Sequence, residues 1–249
     1  MERRSLRGEI YALVSLELEG RGFLAAFTER TGGASAAPFS SLNVGRDTGD
    51  EPSTVEENCR AISSALGLAM PATARQVHGD HVVSVTEGER APVDIAEADG
   101  LTTSERSLPL AVVVADCVPL VLASEREGRV AAIHVGWRGL AAGIIGRALS
   151  SFDRATETVA AIGPAIGPCH YVVGEEVVDA VRSGTGGLAL TRPERSTLDL
   201  PGTVAALLHR EGVSLVDRAS ECTACEPSRL FSHRRDGRTG RQAGLAVRL

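Results

Sequence analysis

Three consecutive segments decide the fold of this chain: VPLVLAS (118–124), EREG (125–128) and RVAAIHV (129–135). The first and third have the length and apolar content of buried strands, and the polar segment between them is typical of a four-residue hairpin loop. We therefore predict an antiparallel hairpin in which Ser124 pairs with Arg129.

The open end of this hairpin carries two side chains of types that can bind metals, Cys117 and His134. In the predicted register Cys117 faces Gly136, and His134 is its diagonal neighbour on the same face. A shift of the register by one residue would separate the two side chains, and a shift by two would keep them together. Diagonal neighbours have Cα atoms about 7–8 Å apart, which allows one metal ion to join their side chains.

His78, in the segment QVHGD (76–80), precedes another predicted strand and is the third candidate ligand. Two imidazoles and one thiolate are a ligand set that leaves the fourth tetrahedral position of zinc open for water. We therefore predict that His78, Cys117 and His134 bind a metal, with His81 as an alternative to His78. Taken singly, each residue is more often a hydrogen-bonded or inertly packed side chain than a ligand.

Length, composition and charge limit the classes of function. The chain has 249 residues, 43% of them hydrophobic, and its formal net charge is −6. We expect one compact domain over residues 1–249, without the broad positive surface that nucleic-acid binding requires. No apolar stretch is long enough for a signal peptide or a membrane span, and five scattered cysteines fit a reducing compartment, so we predict a cytoplasmic protein.

The basic residues are all arginines, because the sequence contains no lysine. This excludes Schiff-base chemistry and a lysine-dependent phosphate loop. A phosphate group must then be held by arginine, histidine or backbone N–H groups.

The pattern of elements predicts an α+β fold with mixed β-sheets. Four helices are expected: about 52–66 with Asp50 or Ser53 as its N-cap, one that follows Trp137 and includes Leu140 to Leu149, about 175–182, and one that opens at Asp199 and ends before Gly212. Further strands are expected at 82–85, 110–115, 159–162 and 245–249. Strands that come singly and in adjacent pairs favour α+β over a strict βαβ alternation.

Two other cysteine segments carry weaker signals. Cys222 and Cys225 form a single C-x-x-C, but a structural zinc site needs two more ligands and a redox site needs a βαβ setting. Cys169 and His170 are adjacent and would point apart in an extended chain, which argues against a second metal site. The basic segment 231–241 fits an anion pocket or a solvated turn equally well.

Several motifs in order show a resemblance to a known family. They are FTERTGGAS (27–35), SSLNVG (40–45), QVHGD (76–80), ADG (98–100), ADCVPLVL (115–122), HVGWRG (134–139), IGPAIGPCHY (162–171) and FSHRRDGRTGRQ (231–242). Together they resemble the YfiH-like family, also called the laccase-domain or multicopper polyphenol oxidoreductase family, which includes purine nucleoside phosphorylases.

The resemblance implies a layered α/β/β/α sandwich and a zinc site at His78, Cys117 and His134. It also implies phosphorolysis of adenosine, inosine, guanosine and methylthioadenosine, together with deamination of adenosine. The sequence departs from the family pattern at three positions, Glu29, Val172 and His233. Since the ligands are intact, these departures concern substrate preference.

A working mechanism follows from these residues. Zinc would lower the pKa of a bound water molecule and so give a hydroxide able to attack C6 of adenine, the step needed for deamination. Besides Cys117, the catalytic candidates are Asp99 and Asp116, which would orient a ligand imidazole or move protons.

Substrate contacts are predicted from residue chemistry. Arg30 and Arg138 are candidates to hold phosphate through bidentate hydrogen bonds, and Asn43 is a candidate to bond the base or the ribose. The expected partners are thus purine nucleosides and phosphate.

Three alternatives remain open at this stage. Copper could replace zinc for oxidation of phenols, although only six histidines are present. Cys117 could instead be a nucleophile activated by His134, with Asp116 or Gln76 assisting, in an amidase that edits a cell-wall precursor. A nucleoside-binding module without turnover is the third alternative.

Overall fold

The computed structural model describes residues 1–86, 95–192, 194 and 196–249. The strands are β1 (Glu2–Arg7), β2 (Ile10–Val14), β3 (Phe23–Thr28), β4 (Val82–Ser84), β5 (Gly100–Thr103), β6 (Leu110–Val114), β7 (Val118–Ser124), β8 (Arg129–Val135), β9 (Val159–Ile162), β10 (Thr191–Arg192), β11 (Thr197–Leu198), β12 (Leu215–Arg218) and β13 (Gln242–Arg248). The helices are α1 (Leu16–Glu19), α2 (Pro52–Leu66), α3 (Trp137–Ala142), α4 (Ile144–Leu149), α5 (Glu175–Gly184), α6 (Leu200–Arg210) and α7 (His233–Asp236). Across these described residues, no helix is both long and apolar enough to span a bilayer.

Two large sheets form the centre of the molecule. The first has the strand order β1-β2-β3-β13-β6 and is antiparallel at every pairing. The second has the order β12-β9-β7-β8-β5-β4 and is mixed, because β12 runs parallel to β9 and β4 runs parallel to β5. The chain therefore has the α+β composition that the sequence predicted.

Three hydrophobic cores define the layers. One lies between the two sheets, where Phe27 and Leu110 of the first sheet share a core with Val121 and Ala132 of the second. The outer face of the second sheet packs against α3, α4 and α6, with Leu140 and Ile144 fully buried. The outer face of the first sheet packs against α2. This confirms the α/β/β/α arrangement, in which burial of both sheet faces requires helices on both outer sides.

The hairpin of β7 and β8 has the predicted register. Ser124 pairs with Arg129, and Val118 pairs with Val135 at the open end. The hairpin lies in the middle of the second sheet, since β7 also pairs with β9 and β8 also pairs with β5. Its open end is therefore held on both sides.

The structure corrects several predicted elements. The single helix expected after Trp137 is two helices, because Gly143 has a left-handed φ of 96° between α3 and α4. Neither Asp50 nor Ser53 caps α2, whose N-cap position is Glu51 with no side-chain hydrogen bond. The first three strands were not predicted; β1 is an edge strand with a largely charged sequence that lacks an apolar alternation.

Candidate metal centre and active site

His78, Cys117 and His134 come together at the open end of the hairpin. Their donor atoms all lie within 4.8 Å of one another, and Cys117 Sγ is 3.9 Å from His78 Nε2. The two imidazole rings meet edge to face, with ring centroids 4.7 Å apart. The described residues therefore contain a candidate His/Cys metal site with one sulfur and two nitrogen donors.

Asp99 brings His78 to the hairpin. Its carboxylate accepts backbone N–H groups from Val77, His78 and Gly79 at 3.2, 2.9 and 2.7 Å. The same carboxylate accepts the Nδ1–H of His134 at 2.7 Å, which leaves Nε2 of that ring free to bind a metal. Burial raises the pKa of Asp99, but the bonds from His134 and Gly79 lower it to a net value below the ordinary one, so the carboxylate is ionised at neutral pH.

Gly136 allows the three side chains to approach. A Cβ atom at this position would lie 2.9 Å from His78 Cδ2 and 3.3 Å from Cys117 Sγ. A side chain there would displace the His78 ring, so the glycine that follows β8 is required by close approach.

Asp116 turns the chain immediately before Cys117. Its φ of 93° is rare for a residue other than glycine. Its carboxylate accepts hydrogen bonds from the hydroxyls of Thr223 and Ser232 and from the backbone N–H of Arg234, at 2.6–2.7 Å. These bonds hold the strained turn, so Asp116 positions Cys117 through the backbone.

Electrostatics favour the thiolate of Cys117. Burial raises the pKa of this thiol, but the charge of His134 and hydrogen bonds from His134 and His78 lower it to a net value of about 6. Burial lowers the pKa of His134, but the Cys117 charge and Asp99 raise it to about 9. The thiolate is the form of cysteine that binds metals and attacks electrophiles.

The donor atoms lie in the wall of a cavity of about 520 Å³. This volume lies within the roughly 300–1,000 Å³ typical of small-molecule sites. Five arginines line the cavity together with the three donor residues; they are Arg46, Arg75, Arg138, Arg234 and Arg241. The cavity therefore combines a soft metal-binding set with groups that bind anions.

The structure separates the predicted substrate contacts. Arg138 lines the cavity, with its guanidinium 4.5 Å from the Trp137 ring centroid. Arg30 is not among the lining residues; its guanidinium donates to the carbonyls of Ser40 and Pro227. Arg30 therefore holds two loops together and does not line the cavity.

Asn43 is buried, and its side chain is engaged in hydrogen bonds with its own loop and with the backbone of Arg241. Its Nδ2 donates to Thr48 and Asp50, and its Oδ1 accepts from the N–H groups of Gly45 and Arg241. It is not among the lining residues, whereas its neighbours Val44 and Gly45 are. Asn43 thus shapes the loop that forms one wall of the cavity.

Sequence reasoning did not name several of the lining residues as individual contacts, among them Arg234, Arg241 and Tyr171. Arg234 and Arg241 belong to the basic segment 231–241, and the anion-pocket interpretation of that segment was the one sequence signal that pointed to them. The Arg241 guanidinium is half-buried, and burial lowers its pKa while the charges of Cys117 and Asp116 oppose that shift. Tyr171 is buried in the same wall, and its place there depends on tertiary packing.

The weak cysteine signals also need correction. Cys169, His170, Cys222 and Cys225 form a second cluster of donor atoms within 4.8 Å of one another. Cys169 and His170 do not point apart, because residues 168–170 form a turn and His170 Nδ1 lies 3.4 Å from Cys169 Sγ. The C-x-x-C pair therefore has two further potential ligands.

Comparison with known proteins identifies the family. The sequence model described as multi-copper polyphenol oxidoreductase laccase matches residues 24–248. The chain belongs to this family. The match confirms the family that the ordered motifs predicted.

Named relatives and a solved structure agree with this assignment. The chain is 38% identical over 239 residues to a purine nucleoside phosphorylase of Xylella fastidiosa, covering 90% of this chain and 92% of the relative. It is 37% identical over 248 residues to purine nucleoside phosphorylase YlmD of Geobacillus stearothermophilus, covering 91% and 90%. The crystal structure of hypothetical protein YfiH of Bacillus licheniformis superposes with a TM-score of 0.88 at 32% identity and 98% coverage of both chains.

Proposed function

We propose that this protein is a zinc-dependent purine nucleoside enzyme. It would cleave adenosine, inosine, guanosine and methylthioadenosine with phosphate to give the free base and a pentose 1-phosphate, and it would deaminate adenosine to inosine. The observation that carries the proposal is a set of two histidines and one cysteine in the wall of a cavity lined by five arginines. The names of the relatives support the same substrate class.

The donor set fits zinc. His78, Cys117 and His134 supply two nitrogens and one sulfur, and Asp99 fixes the ring of His134 in the way that carboxylates commonly orient zinc-binding histidines. When bound, a zinc ion with three protein ligands supplies Lewis-acid chemistry and lowers the pKa of water.

The arginines would bind phosphate. Arg138 and Arg241 are assigned this role because both line the cavity, and a guanidinium presents paired donors that match phosphate oxygens. Arg241 is half-buried, and reduced access of water strengthens its attraction for an anion. Binding phosphate beside the sugar would make the reaction effectively unimolecular and so lower the entropic part of its barrier.

Tyr171 would contact the nucleoside. Burial and the nearby charge of Cys117 raise the pKa of its hydroxyl to about 12, so it remains a hydrogen-bond donor at neutral pH. Its ring lines the cavity beside the Arg234 guanidinium and would pack against a purine, while Asp99 would keep His134 oriented.

A specific arrangement favours a second candidate function. Cys117, His134 and Asp99 form a chain of thiol, imidazole and carboxylate, the order found in thiol hydrolases. A Cys–His amidase acting on a cell-wall precursor is therefore the competing proposal. Copper-dependent oxidation of phenols, which the family description suggests, is the third possibility.

Product analysis with defined metal content tests the proposal. Zinc-loaded protein is incubated with adenosine or inosine, with and without phosphate, and the products are separated by chromatography. We expect free base only with phosphate, inosine from adenosine without phosphate, and loss of both activities after chelation. Copper-loaded protein tested on a phenol provides the arm for oxidation.

A histidine pair provides the matched control. His78→Asn removes a proposed ligand, whereas His81→Asn changes an exposed histidine three residues away whose Nδ1 contacts the Glu97 carbonyl. Activity should disappear in the first variant and persist in the second. The proposal fails if zinc-loaded protein changes neither nucleoside, and inactivation by iodoacetamide but not by chelation would favour the amidase.

A further inference from the structure

Two loops that lie far apart in sequence converge beside the active-site cavity. Strands β9 and β12 are parallel neighbours, so the segments that leave their carboxyl ends run side by side. Ala165 forms an isolated parallel bridge with Cys222, and the N–H of Thr223 donates to the Ala165 carbonyl at 3.0 Å. The sheet therefore delivers Cys169 and His170 to the same place as Cys222 and Cys225.

We propose that Cys169, His170, Cys222 and Cys225 form a second zinc site, which is structural and separate from the site at His78, Cys117 and His134. The proposal does not depend on the nucleoside chemistry proposed above.

Four separations between the donor atoms lie close to those of tetrahedral zinc. Zn–S bonds of about 2.3 Å and Zn–N bonds of about 2.0–2.1 Å place ligand sulfurs about 3.8 Å apart, and sulfur and nitrogen about 3.6 Å apart. The Sγ atoms of Cys169 and Cys225 are 3.6 Å apart. His170 Nδ1 lies 3.4 Å from Cys169 Sγ, 3.4 Å from Cys225 Sγ and 3.9 Å from Cys222 Sγ.

The chemistry of the donors selects the metal. Three sulfurs and one imidazole nitrogen favour zinc over magnesium, calcium or manganese, which prefer oxygen ligands. Four protein ligands complete a tetrahedron and leave no position for water or substrate, which is the property of a structural site.

The surrounding backbone supports this assignment. The N–H of Gly167 donates to Cys222 Sγ at 3.2 Å, and a hydrogen bond of this kind stabilises a metal-binding thiolate. The C-x-x-C segment forms a tight turn, because the N–H of Cys225 donates to the Cys222 carbonyl at 3.0 Å. Both cysteines of the turn thus face the same point.

The second site would stabilise the wall of the cavity. Thr223 lies within the C-x-x-C segment, and its hydroxyl donates to Asp116, the residue that precedes Cys117. Tyr171 follows His170 directly and lines the cavity. Zinc at the second site would therefore hold both loops without contacting the substrate.

Metal counting tests the proposal. Elemental analysis of the protein purified under reducing conditions with zinc should give two zinc ions per chain for the wild type. Cys117→Ser should lose the ion of the first site and keep that of the second. The double variant Cys169→Ser with Cys225→Ser should lose the ion of the second site and keep that of the first. Cys59→Ser, which changes a cysteine of α2 outside both clusters, should retain both ions. A single ion that Cys117→Ser abolishes would overturn the proposal.

Cobalt loading gives a second measurement, in which all four residues of the second cluster are retained. Cys117→Ser protein loaded with Co²⁺ should show thiolate-to-cobalt charge-transfer absorption from tetrahedral coordination by three sulfurs and one imidazole nitrogen. Absence of this absorption would overturn the proposal even if the double variant fails to fold. A native protein whose non-reduced peptide map shows a Cys169–Cys225 disulfide, and which binds no second zinc after reduction, would also overturn it. Since none of these readouts measures nucleoside turnover, failure of the proposed function would be recognised separately.

Discussion

The two donor clusters of this molecule differ in number, exposure and surroundings. The cluster at His78, Cys117 and His134 has three donors, lies in a cavity wall and has an ionised aspartate behind one histidine. The second cluster has four donors, three of them on exposed residues, and no carboxylate among them. The contrast shows how one fold can provide an incomplete coordination sphere for chemistry and a complete one for stability.

Removal of one cysteine from each cluster should separate the two roles most strongly. Cys117→Ser should lower nucleoside phosphorolysis on the order of 10³-fold, because a Lewis-acid metal supplies several kcal/mol of transition-state stabilisation. Cys169→Ser should lower kcat by less than about tenfold, because Cys169 belongs to the other donor cluster. Steady-state kinetics at saturating zinc checks both variants; equal losses would contradict the division of roles.

Thermal unfolding with and without chelator should isolate the second cluster. In a Cys117→Ser background, adding Cys169→Ser and Cys225→Ser should cost about 4 kcal/mol if zinc is present at roughly a thousand times its Kd. Chelation should remove this difference, because both proteins are then metal-free. The destabilisation of Cys59→Ser, whatever its size, should be the same in both conditions. A chelator-independent loss in the cluster variant would indicate packing alone.

The ion pairs around Glu29 offer stability that requires no metal. This buried carboxylate accepts hydrogen bonds from Arg3 at 2.8 and 2.9 Å and from Arg229 at 2.8 and 2.6 Å. Glu29→Gln should cost about 3 kcal/mol at neutral pH, because both guanidiniums lose their ionic partner. Chelator should not change this cost, in contrast to the second cluster.

The stability that Glu29 contributes should depend on pH. Burial raises the pKa of Glu29, but the bonds from Arg3 and Arg229 lower it to a net value below the ordinary one. The carboxylate thus contributes stability above its unfolded pKa and loses that stability as the pH falls through its folded pKa. The gap between wild type and Glu29→Gln in the free energy of unfolding should narrow on acidification. A gap that is constant between pH 7 and the acid transition would contradict this account.

Asp99→Asn tests whether the Asp99 carboxylate orients the ligands of the first cluster. An outer carboxylate of this kind typically contributes about 10–100-fold to metal affinity or activity. We expect a loss in that range, a weaker zinc affinity at the first cluster and an unchanged cobalt spectrum at the second. Asp80→Asn, which changes a partly exposed aspartate paired with Arg147, is the matched control. Equal effects of the two substitutions would exclude the orienting role.

Gly136→Ala should have the smallest effect of the series. The added methyl would lie 2.9 Å from His78 Cδ2, so the ring must shift. We expect zinc affinity at the first cluster to fall about tenfold, equivalent to about 1.4 kcal/mol. Gly146→Ala in α4 meets nothing within 4 Å and should leave zinc affinity unchanged while raising stability slightly. Isothermal titration of both variants checks the comparison.

Local patterns predicted much of the scaffold. The helix Pro52–Leu66 matches its predicted bounds, since an apolar stripe, a proline in the first turn and Gly67 at the end are all local signals. The break at Gly143 was missed, because apolar spacing continues across it. The sequence did not distinguish which of the candidate substrate contacts face the cavity. Arg30 and Asn43 have side chains suited to binding ligands, but tertiary packing engages both in hydrogen bonds with the backbone of loops.

The sequence by itself determined the hairpin register, and with it the meeting of Cys117 and His134, because a four-residue loop and an alternation of period two are local properties. Only the tertiary structure brought His78 to them, through the three backbone hydrogen bonds that Asp99 accepts. It also decided the second cluster, whose two halves are separated by 52 residues between His170 and Cys222 and meet through the parallel pairing of β9 and β12. A parallel pairing depends on contacts distant in sequence, so no local pattern encodes which loops will lie side by side.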